Sequence, residues 1–66
     1  MATVTVRKCG QRFRAEFSAL PGRVFGPWDM AEMIQDLTIS ALLPRLDART
    51  LVMEAAVKGS ATAETG

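Results

Sequence analysis

The sequence predicts an α+β fold: a three-stranded antiparallel β-sheet in the order 1-2-3 packed on a central helix, with a second short C-terminal helix against that helix. Three observations lead there. Residues 3–17 alternate apolar and polar with a period of two, and the alternation breaks once, at Cys9-Gly10. Residues 29–43, DMAEMIQDLTISALL, carry the longest helical pattern in the chain. Residues 47–59 repeat a helical pattern between an acidic cap and a glycine stop.

The hairpin comes first. With Cys9 and Gly10 as loop residues, Val6 pairs with Phe13, Arg7 with Arg12 and Thr5 with Arg14. Val4, Val6, Phe13, Ala15 and Phe17 then share an apolar side, while Thr3, Thr5, Arg7, Arg12, Arg14 and Glu16 share a polar one. Gly10 supplies the positive φ that a primed turn wants. Ser18 to Gly22 (SALPG) reads as a turn. Arg23 to Trp28 (RVFGPW) reads as a third strand, which Pro27 confines to a strand end or sheet edge because proline has no N–H to donate. Either Val24 and Trp28 point inward, leaving Arg23 and Phe25 on the basic side, or Phe25 points inward. Trp28 adjoins the helix cap and is expected to pack across the first turn.

In the central helix, 30–43, Asp29 is the expected N-cap with Glu32 in the capping-box position, and Pro44 the stop. Met30, Met33, Ile34, Leu37 and Ala41 make one stripe, and Ile39, Leu42 and Leu43 a second apolar surface, so this helix needs two partners. The second helix, 48–58, supplies one of them. Its expected N-cap is Asp47, with Leu46 and Leu51 as a hydrophobic staple, Gly59 as an αL stop, and Ala48, Leu51, Val52 and Ala55 as the apolar stripe. Residues 1–59 are thus read as a single small βββαα domain, and residues 60–66 (SATAETG), lacking an apolar anchor, as a disordered tail.

A chain of 66 residues buries a modest share of its surface. One cysteine and no histidine remove an internal disulfide and nearly remove a zinc site, which leaves packing or association to stabilise it. The apolar surplus of the central helix predicts a homodimer or a hetero-complex through Ile39, Leu42, Leu43 and Met53. No apolar run approaches a membrane span, and the start of the chain lacks a signal peptide's apolar core, so no membrane role and a cytoplasmic location are expected.

Catalytic chemistry finds little support. Without histidine or tyrosine, a glycine-rich phosphate loop or metal-spaced ligands, no enzyme, metal or cofactor is expected. Asp29, Glu32 and Asp36 imitate a carboxylate site, but the first turn of a helix favours acids through its dipole. Cys9 has only Lys8 and Arg7 to activate it and reads as incidental. The methionines read as gap-filling in the core or at a seam rather than as the lining of a groove.

Charge is unevenly spread. Residues 1–28 hold five cations against the single acid Glu16, whereas residues 29–66 hold three cations against six acids. An anionic partner for the first half follows. Arg7 opposite Arg12, with Arg14 on the same side, Lys8 at the tip and Arg23 on the next strand, makes a basic ridge around Thr5. Like charges across a ladder destabilise it unless something compensates. The plain alternative is a solvated face on which Glu16 and water suffice.

The run TVRKCGQRFRAEF, then LPGRVFGPW, then DMAEMIQDLTISALL resembles the arm-type DNA-binding domain of phage tyrosine integrases and the related AP2-like domains. That resemblance implies three antiparallel strands and a helix, with the sheet face opposite the helix entering the major groove of duplex DNA. It makes Arg7, Arg12, Arg14 and Arg23 the contacts, with Thr5 between them. Residues 44–66 fall outside it, and the acidic helix start departs from it. In size and lack of chemistry the chain also looks like the small accessory proteins of phages and mobile elements. Two functions are therefore expected: a non-enzymatic nucleic-acid-binding module, or a stoichiometric inhibitor of a host nucleic-acid-processing complex, of anti-CRISPR type, acting by protein contact.

Overall fold

A computed structural model describes residues 2–40 and 43–65. The order of elements is β1 (Ala2–Cys9), β2 (Arg12–Phe17), β3 (Val24–Trp28), α1 (Met30–Ser40), α2 (Arg45–Lys58) and β4 (Ser60–Thr65). The sheet is antiparallel and four-stranded, in the order β3-β2-β1-β4, with α1 lying against β2 and β3 and α2 against β1 and β4.

The fourth strand corrects the expectation of three strands and a disordered tail. Residues 60–64 alternate in the same way as β1: Ala61 is buried and Ala63 half-buried on the helix side, while Ser60, Thr62 and Glu64 are exposed. Their small side chains look unlike an anchor, yet they pack into the core beneath α2. The helix stop itself starts the strand. Gly59, at φ 93, donates its amide to the Ala55 carbonyl (2.7 Å), and its own carbonyl accepts the Lys8 amide (2.9 Å).

The hairpin register also differs from expectation. The loop residues are Gly10 and Gln11, so Cys9 faces Arg12, Arg7 faces Arg14, Val6 faces Ala15 and Val4 faces Phe17. A slip of two residues leaves every side chain on its expected face, and for that reason the alternation could not detect it. Gly10, at φ 64, takes the first loop position, where primed turns need a positive φ.

β3 occupies the edge opposite β4, as Pro27 requires. Phe25 turns inward, stacking edge-on against Phe17 at 5.2 Å between ring centres, and Val24 is exposed beside Glu16. The register shift also brings Trp28, opposite Phe13, against the core, so the two alternatives left open by the sequence are mixed rather than exclusive. The β2–β3 register shifts between Phe13 and Ala15. Gly26 sits at that shift with φ +107, and a Cβ there would come within 2.6 Å of the Phe13 carbonyl oxygen, so only glycine fits.

α1 is capped as expected: the Asp29 Oδ1 accepts the Glu32 amide (2.8 Å), and the Asp29 carbonyl accepts that of Met33 (2.9 Å). Its buried residues are Met33, Ile34 and Leu37, whereas Met30 is exposed. The helix ends at Ser40 among the described residues; Ala41 and Leu42 lie outside them, and Leu43 is non-helical and packs against the core. α2 begins three residues before the expected start. Pro44, at φ −54 and ψ 144, is its N-cap, and the Pro44 carbonyl accepts the Ala48 amide (2.9 Å). Asp47 therefore lies within the first turn, where a carboxylate favours the helix dipole but caps nothing, and Leu46 is exposed rather than part of a staple.

The core joins Val4, Val6, Phe13, Ala15 and Ala61 of the sheet to Met33, Ile34 and Leu37 of α1 and Ala48, Leu51, Val52 and Ala55 of α2. Each large side chain among them contributes about 1.5–3 kcal/mol on burial. All four expected stripe residues of α2 are in this set. Both helices cover the same face of the sheet, which leaves the other face open.

Candidate nucleic-acid interface

The open face is built by alternation. Strand β1 places Thr3, Thr5, Arg7 and Cys9 there, β2 places Arg12, Arg14 and Glu16, and β4 adds Ser60, Thr62 and Glu64. Cross-strand pairing arranges them in rows. Cys9 and Arg12 form the row next to the turn; Arg14, Arg7 and Ser60 form the next; Glu16, Thr5 and Thr62 the third; Thr3 and Glu64 the last.

Positive charge is thereby gathered at the hairpin end and negative charge at the opposite end. Arg7 and Arg14 face each other directly, a like-charged pair of the kind expected for Arg7 and Arg12. The diagonal neighbour Glu16 compensates one of them: Arg7 Nε lies 3.4 Å from Glu16 Oε1, with both side chains about half exposed. Arg12 and Arg14 make no ion pair among the described residues. In the third row the Thr5 and Thr62 hydroxyls are hydrogen-bonded at 3.1 Å, which holds β4 to β1 on this face.

Not every expected contact residue is here. Lys8 pairs with Phe13 and so belongs to the helix side of β1, although it is exposed at the hairpin end. Arg23 precedes β3 next to Val24, which faces Glu16, so it lies at the acidic end of the sheet, away from Arg12. Ser60, Thr62 and Glu64 are members of the face that the sequence reading missed. The alternation of Ala61 and Ala63 with the polar Ser60, Thr62 and Glu64 was the available signal.

The residues expected at an interface are dispersed. Ile39 lines a shallow groove on α1 with Trp28, Glu32, Gln35 and Asp36, whereas Met53 lines another on α2 with Thr50, Glu54, Val57 and Lys58. Leu43 packs against the core, and Leu42 lies outside the described residues. Trp28 thus borders the groove that runs along α1 from Glu32 to Ile39, rather than being confined to the first turn. The acids there have local duties: Asp29 caps, and Asp36 Oδ1 accepts a bond from Ser40 Oγ (3.1 Å). Among the described residues no three side chains are grouped to hold a metal ion, and no helix is long and apolar enough to cross a membrane.

No family model matches the chain, and neither a curated protein nor a solved structure matches it.

Proposed function

We propose that the chain is a non-enzymatic nucleic-acid-binding module of a phage or mobile element, working in the cytoplasm and gripping duplex DNA with the hairpin end of its open sheet face. The observation that carries this reading is the direct opposition of Arg7 and Arg14, with Arg12 one row beyond and a single carboxylate against them. Two guanidiniums held face to face destabilise the free sheet, and phosphates lying over them reverse the sign of that interaction. Arg7, Arg12 and Arg14 are the primary contacts, with Lys8 beside the turn. Thr5 and Thr62 offer hydroxyls to the backbone, and Arg23 serves only a ligand long enough to reach the far end.

The test is fluorescence anisotropy on random-sequence duplexes over a range of salt concentrations. Each phosphate neutralised contributes a slope of about −0.9 in log affinity against log salt. Three arginine contacts therefore give roughly −2.7. Arg14→Ala flattens the slope by about one contact, and Arg23→Ala leaves it nearly unchanged. Absence of binding at low salt and micromolar protein removes this reading.

A second reading rests on a different observation. Leu46, Thr50, Met53 and Val57 share the face of α2 opposite its buried stripe, and Leu46 and Val57 are 72% and 85% exposed. Such a surface suits a stoichiometric inhibitor of a host nucleic-acid-processing complex, anti-CRISPR proteins being of this type, that acts by protein contact. There, activity falls with Val57→Lys or Met53→Lys and is insensitive to Arg14→Ala.

A further inference from the structure

We propose that β4 is the edge along which two copies of this chain join, strand against strand, to double the four-stranded sheet into one of eight strands.

The two edges of the sheet are built differently. β3 carries Pro27, which has no amide to offer, and an irregular register at Gly26, both of which discourage a further strand. β4 has neither. It follows β1 from Ser60 to Thr65 without a register shift, and it contains no proline and no lysine or arginine. No other strand pairs with its outer side among the described residues.

The phase of the β1–β4 ladder decides which backbone groups that edge presents. Lys8 donates its amide to Gly59, its cross-strand partner in continuation of the ladder. Bonded and non-bonded pairs alternate in an antiparallel ladder. The bonded pairs are then Val6 with Ala61 and Val4 with Ala63. It follows that the amides and carbonyls of Ser60, Thr62 and Glu64 point away from β1, along the open edge.

This edge is complementary to itself. When two copies of β4 run antiparallel about a two-fold axis at Thr62, Thr62 faces Thr62, Ser60 faces Glu64 and Glu64 faces Ser60. Each such facing pair can exchange two amide-to-carbonyl bonds, using the groups that β1 leaves free. Even-numbered residues meet even-numbered residues, so both helical layers stay on one side of the doubled sheet and both open faces on the other. The charges agree with this register. Ser60 lies in the row of Arg7 and Arg14, so the Glu64 of the second copy is the next residue in that row. The one ionisable side chain of β4 thus arrives beside the row where two arginines share a single acid. A second copy satisfies both the backbone and the charge pattern, and it does not use the apolar helical residues Ile39 and Met53.

Sedimentation equilibrium at high micromolar concentration is expected to give a dimer, and hydrogen exchange to show the Thr62 and Glu64 amides slowing as protein concentration rises. Thr62→Pro deletes an outward amide and is expected to be monomeric with an unchanged circular dichroism spectrum. Glu64→Lys places a cation in the row of Arg7 and is expected to raise the dimer dissociation constant by about tenfold, equivalent to about 1.4 kcal/mol. If Thr62→Pro fails to fold, Glu64→Lys decides alone, and an unchanged dissociation constant overturns the proposal. A monomeric wild type also overturns it. So does a dimer that survives both variants but is lost in Met53→Lys.

Discussion

Arg7 and Arg14 face each other across the β1–β2 ladder, and Glu16, diagonal to Arg7 at 3.4 Å, is the carboxylate that offsets their repulsion. Removing it as Glu16→Gln should destabilise the fold by roughly 0.2–1 kcal/mol at low salt, with added salt restoring most of the loss. Arg14→Ala should be neutral or slightly stabilising. Thermal melts at two ionic strengths check both, and a salt-independent loss in Glu16→Gln would show that the bridge matters for packing rather than charge.

Phe13 is 3% exposed on the sheet's inner face, one residue into β2 from the hairpin turn, and belongs to the core shared with α1. Phe13→Ala is expected to cost ~3–5 kcal/mol and to leave much of so small a chain unfolded at room temperature. Its neighbour Arg12 faces Cys9 on the open side, and Arg12→Ala should melt within a few degrees of the wild type. Circular dichroism melts rank the two, and the reverse order would contradict the observed facing of β2.

Gly26 and Gly10 both have positive φ, but they differ in surroundings. A Cβ at Gly26 meets the Phe13 carbonyl oxygen at 2.6 Å, while one at Gly10 meets nothing within 4 Å. Gly10→Ala should therefore cost only the backbone preference, about 1–2 kcal/mol. Gly26→Ala adds displacement of β3 from β2 to the same backbone term and should lose clearly more. Chemical denaturation midpoints distinguish them.

The two acids that precede or open helices should respond unequally. Asp29→Ala removes the side-chain bond to the Glu32 amide and is expected to cost about 1 kcal/mol. Asp47→Ala removes only a favourable dipole interaction in the first turn of α2, about 0.3–1 kcal/mol and diminished by salt. Urea midpoints at low and high salt separate the two cases.

Large side chains and strong caps were legible in the sequence because each carries its own signal. Asp29, the α2 stripe, Gly59 and the inner-facing Val4, Val6 and Phe13 all lie where their patterns place them. The misses have specific causes. The hairpin register escaped because a two-residue slip preserves the facing of every residue, so only the choice between Cys9 and Gly10 as first loop residue could fix it. β4 escaped because Ala61 and Ala63 bury so little surface that their alternation does not stand out as an apolar pattern, although Thr62 and Thr65 favour strands. Asp47 misled because an acid suits both an N-cap and the third position of a helix, and Pro44 took the cap. Of the candidate site, the shared face of Arg7, Arg12 and Arg14 was legible, while the separation of Arg23 from them depended on where β3 sits along β2.

The pairing of β1 with β4 sets the order in which the chain can be completed during synthesis. β1 is made before the strand that pairs with its second side and lies inside the sheet, and that strand, β4, follows both helices, with Ala2 facing Thr65. Until that segment leaves the ribosome, one side of β1 keeps its amides and carbonyls bare, and Val4 and Val6 lack part of their cover. The β1–β2 hairpin and α1 can assemble early because their contacts are local, whereas closure of the sheet has to await the long-range pairing of β1 with β4. A nascent chain halted before Ser60 would therefore present a strand edge of its own, open to pairing with whatever strand it meets first.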